Sequence, residues 1–211
     1  KVELTDIDDD IPIELYDDRG PSTLNSLSIS VTRNTLEPWS RPSKGSRLSL
    51  SIDQFGVPSG DYSFTKTFLS YTTYLATSRD FLDRTTTLRL DTKIGYIFNG
   101  DSPTFSQFTL GGRSMRGFEF MTISPRGTPR VPGGPTDVPI GGTWELFIGA
   151  QYELPLLDRF VSMVVFCDSG TVTDSPGFSE YRVSVGTGIR LHIPQLGNAP
   201  LAFDFGFPVV K

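Results

Sequence analysis

From Tyr181 to Ile193 the chain alternates with a strict period of two. Tyr181, Val183, Val185, Thr187, Ile189, Leu191 and Ile193 fall on one face of an extended chain. Arg182, Ser184, Gly186, Gly188, Arg190 and His192 fall on the other. Successive side chains of a strand point to opposite faces, so this pattern reads as a β-strand and excludes an amphipathic helix over the same residues. The pattern recurs over 26–32, 47–53, 64–76, 87–98, 143–154, 160–172 and 201–207, with Gly-, Pro- and Asp-containing turns between. No segment carries a helical period, and no repeat of about 20–50 residues is present. The chain is therefore expected to be all-β, with eight antiparallel strands in one domain.

Alternation alone fits a soluble β-sandwich, a small soluble barrel or a membrane barrel. The composition of the two faces separates them. One face carries aliphatic residues, with aromatics such as Trp144, Tyr152, Tyr181 and Tyr96 towards strand ends. The other is rich in Gly and Ser and holds isolated charges of both signs, an odd surface to present to solvent. An apolar, aromatic-belted exterior around a polar interior is the pattern of a transmembrane β-barrel. Strands of roughly ten residues also suit a tilted bilayer crossing. Connections alternate, being short after Leu154 and Ile193 and long over Asn99–Gly142. No run of about 20 apolar residues exists, which excludes a transmembrane helix. The chain opens without the apolar stretch of a signal peptide, so it is expected to be a mature or truncated piece.

Charge and motifs exclude several functions. A net charge of −5 argues against general nucleic-acid binding. The acidic stretch with Asp6, Asp8, Asp9 and Asp10 lacks the glycine and closing glutamate of a calcium loop, and residues 1–25 read as a solvated irregular segment. Asp17 and Asp18 read as loop charges. The single histidine, His192, has no G-x-S-x-G elbow to serve, and Gly186-Thr187-Gly188 sits inside a strand, where it makes room in a barrel. Cys167 has no second thiol and is expected as a small side chain on the membrane face. No catalytic set, metal site or cofactor is expected, and the chain is not expected to be an enzyme.

The long segment 99–142 holds Leu110-Gly111-Gly112-Arg113-Ser114-Met115-Arg116-Gly117-Phe118. A loop of this length within a strand array has a job of its own or is a mobile surface loop with an incidental basic patch. Glycines permit positive φ and close backbone approach, and an arginine among them can fork onto a carboxylate. Alternation puts Glu153 and Asp168 on the polar face of consecutive strands that begin where this loop ends. A loop folded inward would bring Arg116 onto them.

These residues resemble a known family. Gly112-Arg113-Ser114-Met115-Arg116-Gly117-Phe118 is similar to the (V/I)RGF signature of the Omp85 superfamily, with Met115 in place of the usual Val or Ile. Phe166-Cys167-Asp168-Ser169-Gly170-Thr171-Val172 resembles the aromatic-x-Asp-x-Gly segment of the strand that pairs with the signature arginine. Cys167 stands where an aromatic or aliphatic residue is common. Arg33-Asn34-Thr35-Leu36 with Arg41-Pro42-Ser43-Lys44-Gly45-Ser46-Arg47 resembles a family periplasmic turn, and Gln151-Tyr152-Glu153-Leu154 resembles the strand after the loop.

The resemblance implies the C-terminal part of a sixteen-stranded barrel, without POTRA repeats, the first strands or a last strand. The loop at 99–142 would be tucked into the lumen. Its docking motif would be Gly112, Met115, Arg116, Gly117 and Phe118, and its lumenal partners Glu153, Phe166, Asp168 and Gly170, with Arg116 on Asp168. The implied function is insertion of nascent β-barrel proteins into the bacterial outer membrane, without ATP or cofactor. Partners would be the lipid bilayer, unfolded barrel substrates and accessory lipoproteins of an assembly complex. A TamA-like factor, a two-partner-secretion transporter and a passive porin or adhesin barrel remain alternatives. Eight strands alone would close too narrow a barrel to hold the loop.

Overall fold

The computed structural model describes residues 2–4, 11–37, 42–130, 137–157, 160–193 and 200–210. The acidic run at 6–10, and Arg41 of the turn similar to the family's, lie outside the described residues.

Eight strands form one antiparallel sheet in sequence order. They are β3 (Ser26–Asn34), β4 (Gly45–Phe55), β5 (Thr65–Arg79), β6 (Thr85–Phe98), β7 (Trp144–Leu157), β8 (Val161–Thr173), β9 (Arg182–Leu191) and β10 (Leu201–Val210). Each is joined to the next as a hairpin or by a loop, and the described sheet is open, with β3 and β10 at its edges. Two elements precede it, contrary to the expectation of an irregular segment. A two-stranded sheet pairs β1 (Val2–Leu4) with β2 (Gly20–Ser22), and a five-residue helix, α1, spans Ile13–Asp17. The helix is too short for a hydrophobic stripe to betray it in sequence.

The alternation sorts as read. On β8, Ser162, Val164, Phe166, Asp168 and Gly170 are buried, whereas Val165 and Cys167 are exposed. On β10, Phe203, Phe205, Phe207 and Val209 are exposed on the outer face. The outer face also carries aromatic pairs at the loop end: Tyr96 lies 5.8 Å from Phe98 and 6.0 Å edge-on to Trp144. Stripes of exposed Leu, Ile, Val and Phe on every strand would be untenable against water but suit lipid.

The register lines up inner residues into rows across the sheet. One row runs Asn34, Arg47, Thr72, Asp91, Gly149, Asp168, Ser184 and Pro208. The next, one step towards the turn end, runs Gly45, Tyr74, Arg89, Gln151, Phe166, Gly186 and Gly206. These two rows position the candidate site.

The loop between β6 and β7 folds onto the inner face. It enters and leaves as a pair of short bridges, Phe108 with Gly142 and Leu110 with Ile123. Its apolar side chains make the core with the strands: Phe108, Leu110, Met115 and Ile123 from the loop meet Phe64, Ile97, Phe147 and Val172. The interior is thus not polar throughout; at the loop end it is a packed apolar plug. Fully burying side chains of this size contributes about 1.5–3 kcal/mol each, before conformational entropy is subtracted.

Candidate functional site

The tip of the loop is a tight turn. Gly112 donates to the Phe118 carbonyl at 2.8 Å, closing the residues between them into one loop. The Ser114 hydroxyl donates to the Gly111 carbonyl at 2.9 Å and accepts from the Gly111 amide at 3.0 Å. Gly112 and Gly117 hold φ of +60° and +88°, values that L side chains rarely adopt. This turn splits two adjacent residues to different tasks. Met115 is fully buried in the apolar plug, and Phe118 packs against the same cluster. Arg116 points the other way, along the inner wall.

Arg116 forks onto Asp168 of β8. Its Nε donates to Asp168 Oδ2 at 2.7 Å and a terminal nitrogen donates to Oδ1 at 2.8 Å. The Arg116 amide adds a longer bond to Oδ2 at 3.3 Å. The guanidinium lies 3.6 Å above the ring centre of Phe166, so the ring face supports the fork. The carbonyl of Arg116 accepts from Ser184 Oγ of β9 at 2.5 Å. Two parallel charge-assisted bonds plus a stacked ring fix both the position and the plane of the guanidinium.

Burial decides which ion pairs matter. The side chains of Asp168 and Arg116 are 2% and 24% exposed. Those of the Arg79–Asp83 pair in the β5–β6 turn are 66% and 80% exposed. An exposed pair contributes about 0–1 kcal/mol, whereas removing one partner of a buried pair costs about 3–5 kcal/mol.

Glu153, expected as a partner of Arg116, is not among the side chains that accept from its guanidinium, which are Asp168, Gln151 and Asp204. The β7 residue that takes the guanidinium is Gln151, whose Oε1 accepts from Arg116 at 2.8 Å. Glu153 lies one inner position nearer the turn end and accepts instead from Ser162 at 2.6 Å. Alternation could not tell the two apart, since both point inward; the β7–β8 register sets Gln151 opposite Phe166 and Glu153 opposite Val164. Phe118 packs against the plug, and Phe166 lies under the Arg116 guanidinium. Gly170 makes room for the loop: a Cβ there would stand 2.9 Å from a methyl of Leu110.

Further residues were invisible as partners until the register was known. Asp204 Oδ2 of β10 lies 3.5 Å from Arg116, and Arg190 of β9 donates to both Asp204 oxygens at 2.5 and 2.9 Å. Gly186 leaves the space that the Phe166 ring occupies, and Gly206 lets the loop backbone approach: a Cβ there would stand 2.7 Å from the Gly117 nitrogen. The root of the loop has its own contacts. Lys66 of β5 donates to the Ser106 carbonyl at 2.6 Å and stands 4.2 Å over the Phe108 ring. A strap before β3 adds a third. Asp18 accepts from the Thr104 amide at 2.6 Å, the Thr104 hydroxyl at 2.8 Å and the Tyr62 hydroxyl at 2.8 Å. Asp18 is therefore not a loose loop charge as its sequence surroundings suggest. The Tyr62 phenol is pushed up to about 12 by burial, then by the Asp18 carboxylate beside it. Among the described residues no group of His, Cys, Asp or Glu is arranged to hold a metal ion.

Comparison with known proteins agrees with the geometry. A family model for the Omp85 superfamily domain matches residues 2–211. Over 219 aligned residues the chain is 28% identical to the outer membrane protein assembly factor BamA of Nitratidesulfovibrio vulgaris, covering 99% of this chain and 26% of that protein. The chain thus spans about a quarter of that curated relative's length. The fold is similar to the crystal structure of BamA from Haemophilus ducreyi lacking POTRA domains 1–3, with a TM-score of 0.74 and 20% identity. That match covers 88% of this chain and 39% of the other.

Proposed function

The chain belongs to the Omp85 superfamily of outer-membrane β-barrel proteins, and from that premise we propose that it is part of an assembly factor that folds and inserts β-barrel proteins into the bacterial outer membrane. In this reading it is the barrel of the core subunit of a BAM-type complex. Its partners are the lipid bilayer, unfolded barrel substrates and accessory lipoproteins. It works without a catalytic group or cofactor, as a scaffold and not an enzyme.

The observation that carries the reading is the docked tip: Arg116 forked onto Asp168 over Phe166, with Met115 sealed in the plug. In this arrangement Gly112, Met115, Arg116, Gly117 and Phe118 act as a docking motif, and Phe166, Asp168 and Gly170 with Gln151 form its seat. A loop root and tip fixed at separate points fill the loop end of the lumen, which is poorly suited to passive passage of solutes. They also brace β7, β8 and β9 from inside. A braced wall of this kind lets the rest of a barrel flex while a nascent strand is received.

The test uses the full-length protein reconstituted in vesicles with an unfolded outer-membrane barrel as substrate. Insertion is followed by heat-modifiable gel migration. The wild type is expected to accelerate insertion, and Arg116→Ala and Asp168→Ala to slow it severalfold. A large ionic conductance that Arg116→Ala leaves unchanged, with no acceleration of insertion, would point to a passive pore instead. Transfer of a substrate across the vesicle membrane without its insertion would point to a transport member of the superfamily.

A further inference from the structure

Arg116 belongs to a larger charge cluster than its pair with Asp168. Gln151 Oε1 accepts from Arg116 at 2.8 Å and from Arg190 at 3.3 Å. Arg190 in turn grips both oxygens of Asp204, whose Oδ2 is also 3.5 Å from Arg116. Two guanidiniums thus share two carboxylates around one neutral amide. The cluster is balanced, and it is buried: the side chains of Asp168, Arg190 and Asp204 are 2%, 8% and 20% exposed. Removing either carboxylate leaves two cations facing each other across Gln151 with one anion between them.

Asp204 stands on β10, which in the described sheet is hydrogen-bonded only to β9. Two features fit β10 to the loop tip and not merely to β9. Gly188 has no side chain where the Asp204 carboxylate lies, so the carboxylate lies flat over β9 towards Arg190 and Arg116. Gly206 sets bare backbone against bare backbone at Gly117, whose own Cβ would meet Gly206 and Phe207 at 3.1 and 3.2 Å. The tip therefore touches β10 by charge and by shape, two residues apart on the same face.

We propose that Asp204 and Arg190 are positioning residues that couple docking of the loop tip to the placement of β10 on β9. The proposal rests on the docking role of Arg116. With β10 in its described register the Arg116–Arg190 repulsion is neutralised and the tip seats fully. With β10 displaced, Arg190 loses its carboxylate and opposes the docked guanidinium. Linkage makes the effect mutual: whatever free energy β10 lends the docked tip, the docked tip lends β10.

The test again uses the full-length protein in membranes, with Cys167→Ser and Met115→Cys as a buried reporter. A membrane-impermeant maleimide labels that thiol only when the tip leaves its seat. Asp204→Asn is expected to speed labelling by roughly tenfold, the effect of losing one charge-assisted hydrogen bond and leaving Arg190 opposed to Arg116. Adding Arg190→Gln to Asp204→Asn removes the opposing cation and should bring labelling back towards the parent rate. A second readout separates coupling from general loosening. Arg116→Lys keeps the charge but cannot fork to Asp168 and Asp204 together, so it should speed amide hydrogen exchange in β10 while leaving β5 unchanged. Should Asp204→Asn not assemble, Asp204→Glu carries the same labelling readout, with faster labelling expected. Labelling at the parent rate in Asp204→Asn, while Asp168→Asn exposes the thiol, would overturn the coupling and leave docking intact. A parent rate in Asp168→Asn as well would overturn docking itself.

Discussion

The inner faces of β3 and β8 follow the same two-residue period and meet different neighbours. On β3 all nine residues, Ser26–Asn34, are exposed, inner and outer alike. On β8 the inner residues from Ser162 to Val172 are buried. Both strands have an apolar outer face, Leu27, Ile29 and Val31 on one and Met163, Val165 and Cys167 on the other. β3 is an edge strand of the described sheet, whereas β8 lies inside it and carries the docked loop on its inner face. Ser28, Ser30 and Thr32 line a wall that nothing in the described chain covers. Phe166, Asp168 and Gly170 are a seat cut to a particular loop. Alternation defines a wall, and only the identity of the inner residues and their register defines a seat.

That contrast can be broken from the seat side first. Met115→Ala removes a fully buried side chain from the plug and is expected to cost about 3 kcal/mol, within the usual range for such core truncations. Its counterpart on the open wall, Ser30→Ala, should stay within about 0.5 kcal/mol. Denaturant midpoints in detergent micelles measure both. Next comes Asp168→Ala, which strands Arg116 with Gln151 and a longer contact to Asp204. Arg116 is partly exposed and keeps these partners, so about 2–3 kcal/mol is expected, below the full penalty for a buried pair. Charge-preserving Asp168→Glu should recover only part, since an extra methylene misaligns the fork.

A smaller effect is expected at the strap. Tyr62→Phe removes the hydroxyl bond to Asp18 and should cost about 1 kcal/mol or less. Because the folded Tyr62 phenol titrates near 12 and an ordinary tyrosine near 10.0, its contribution is full below pH 10.0 and is lost as the pH rises through about 12. An alkaline absorbance titration of wild type against Tyr62→Phe should show one late-titrating phenol missing from the variant. Smallest of all, Asp83→Ala in the exposed β5–β6 turn should change stability by less than about 0.5 kcal/mol, and raised salt should erase even that.

Most of the sheet was legible because its cause is local. Side-chain alternation fixes which residues face lipid, and Gly-, Pro- and Asp-rich breaks fix where strands end, to within a few residues. The arginine of the loop and the aspartate of β8 were legible through their flanking motif. Alternation puts Ser184 and Arg190 on the inner face, and by the same period Gln151, Asp204 and Gly206, but nothing local says which inner residues share a row. A shift of two residues in one hairpin keeps every side chain on its face and replaces Gln151 by Glu153 beside the guanidinium. Register is a property of the whole sheet. The strap was missed for a different reason. A five-residue helix and a three-residue strand pair carry too few residues for a period, and Asp18 gains its partners from segments 44 and 86 residues away.

The measurement that bears most directly on a docked loop is paired thiol accessibility on the two walls of the full-length protein in membranes. Ser184→Cys and Val172→Cys lie under the loop tip and plug, whereas Ser51→Cys and Ser70→Cys line the open wall, all with Cys167→Ser. An impermeant maleimide should label Ser51→Cys and Ser70→Cys readily and leave Ser184→Cys and Val172→Cys protected until Arg116→Ala is added. Equal labelling of all four with Arg116 intact would contradict the docked loop, and with it the seat on which the proposed function rests.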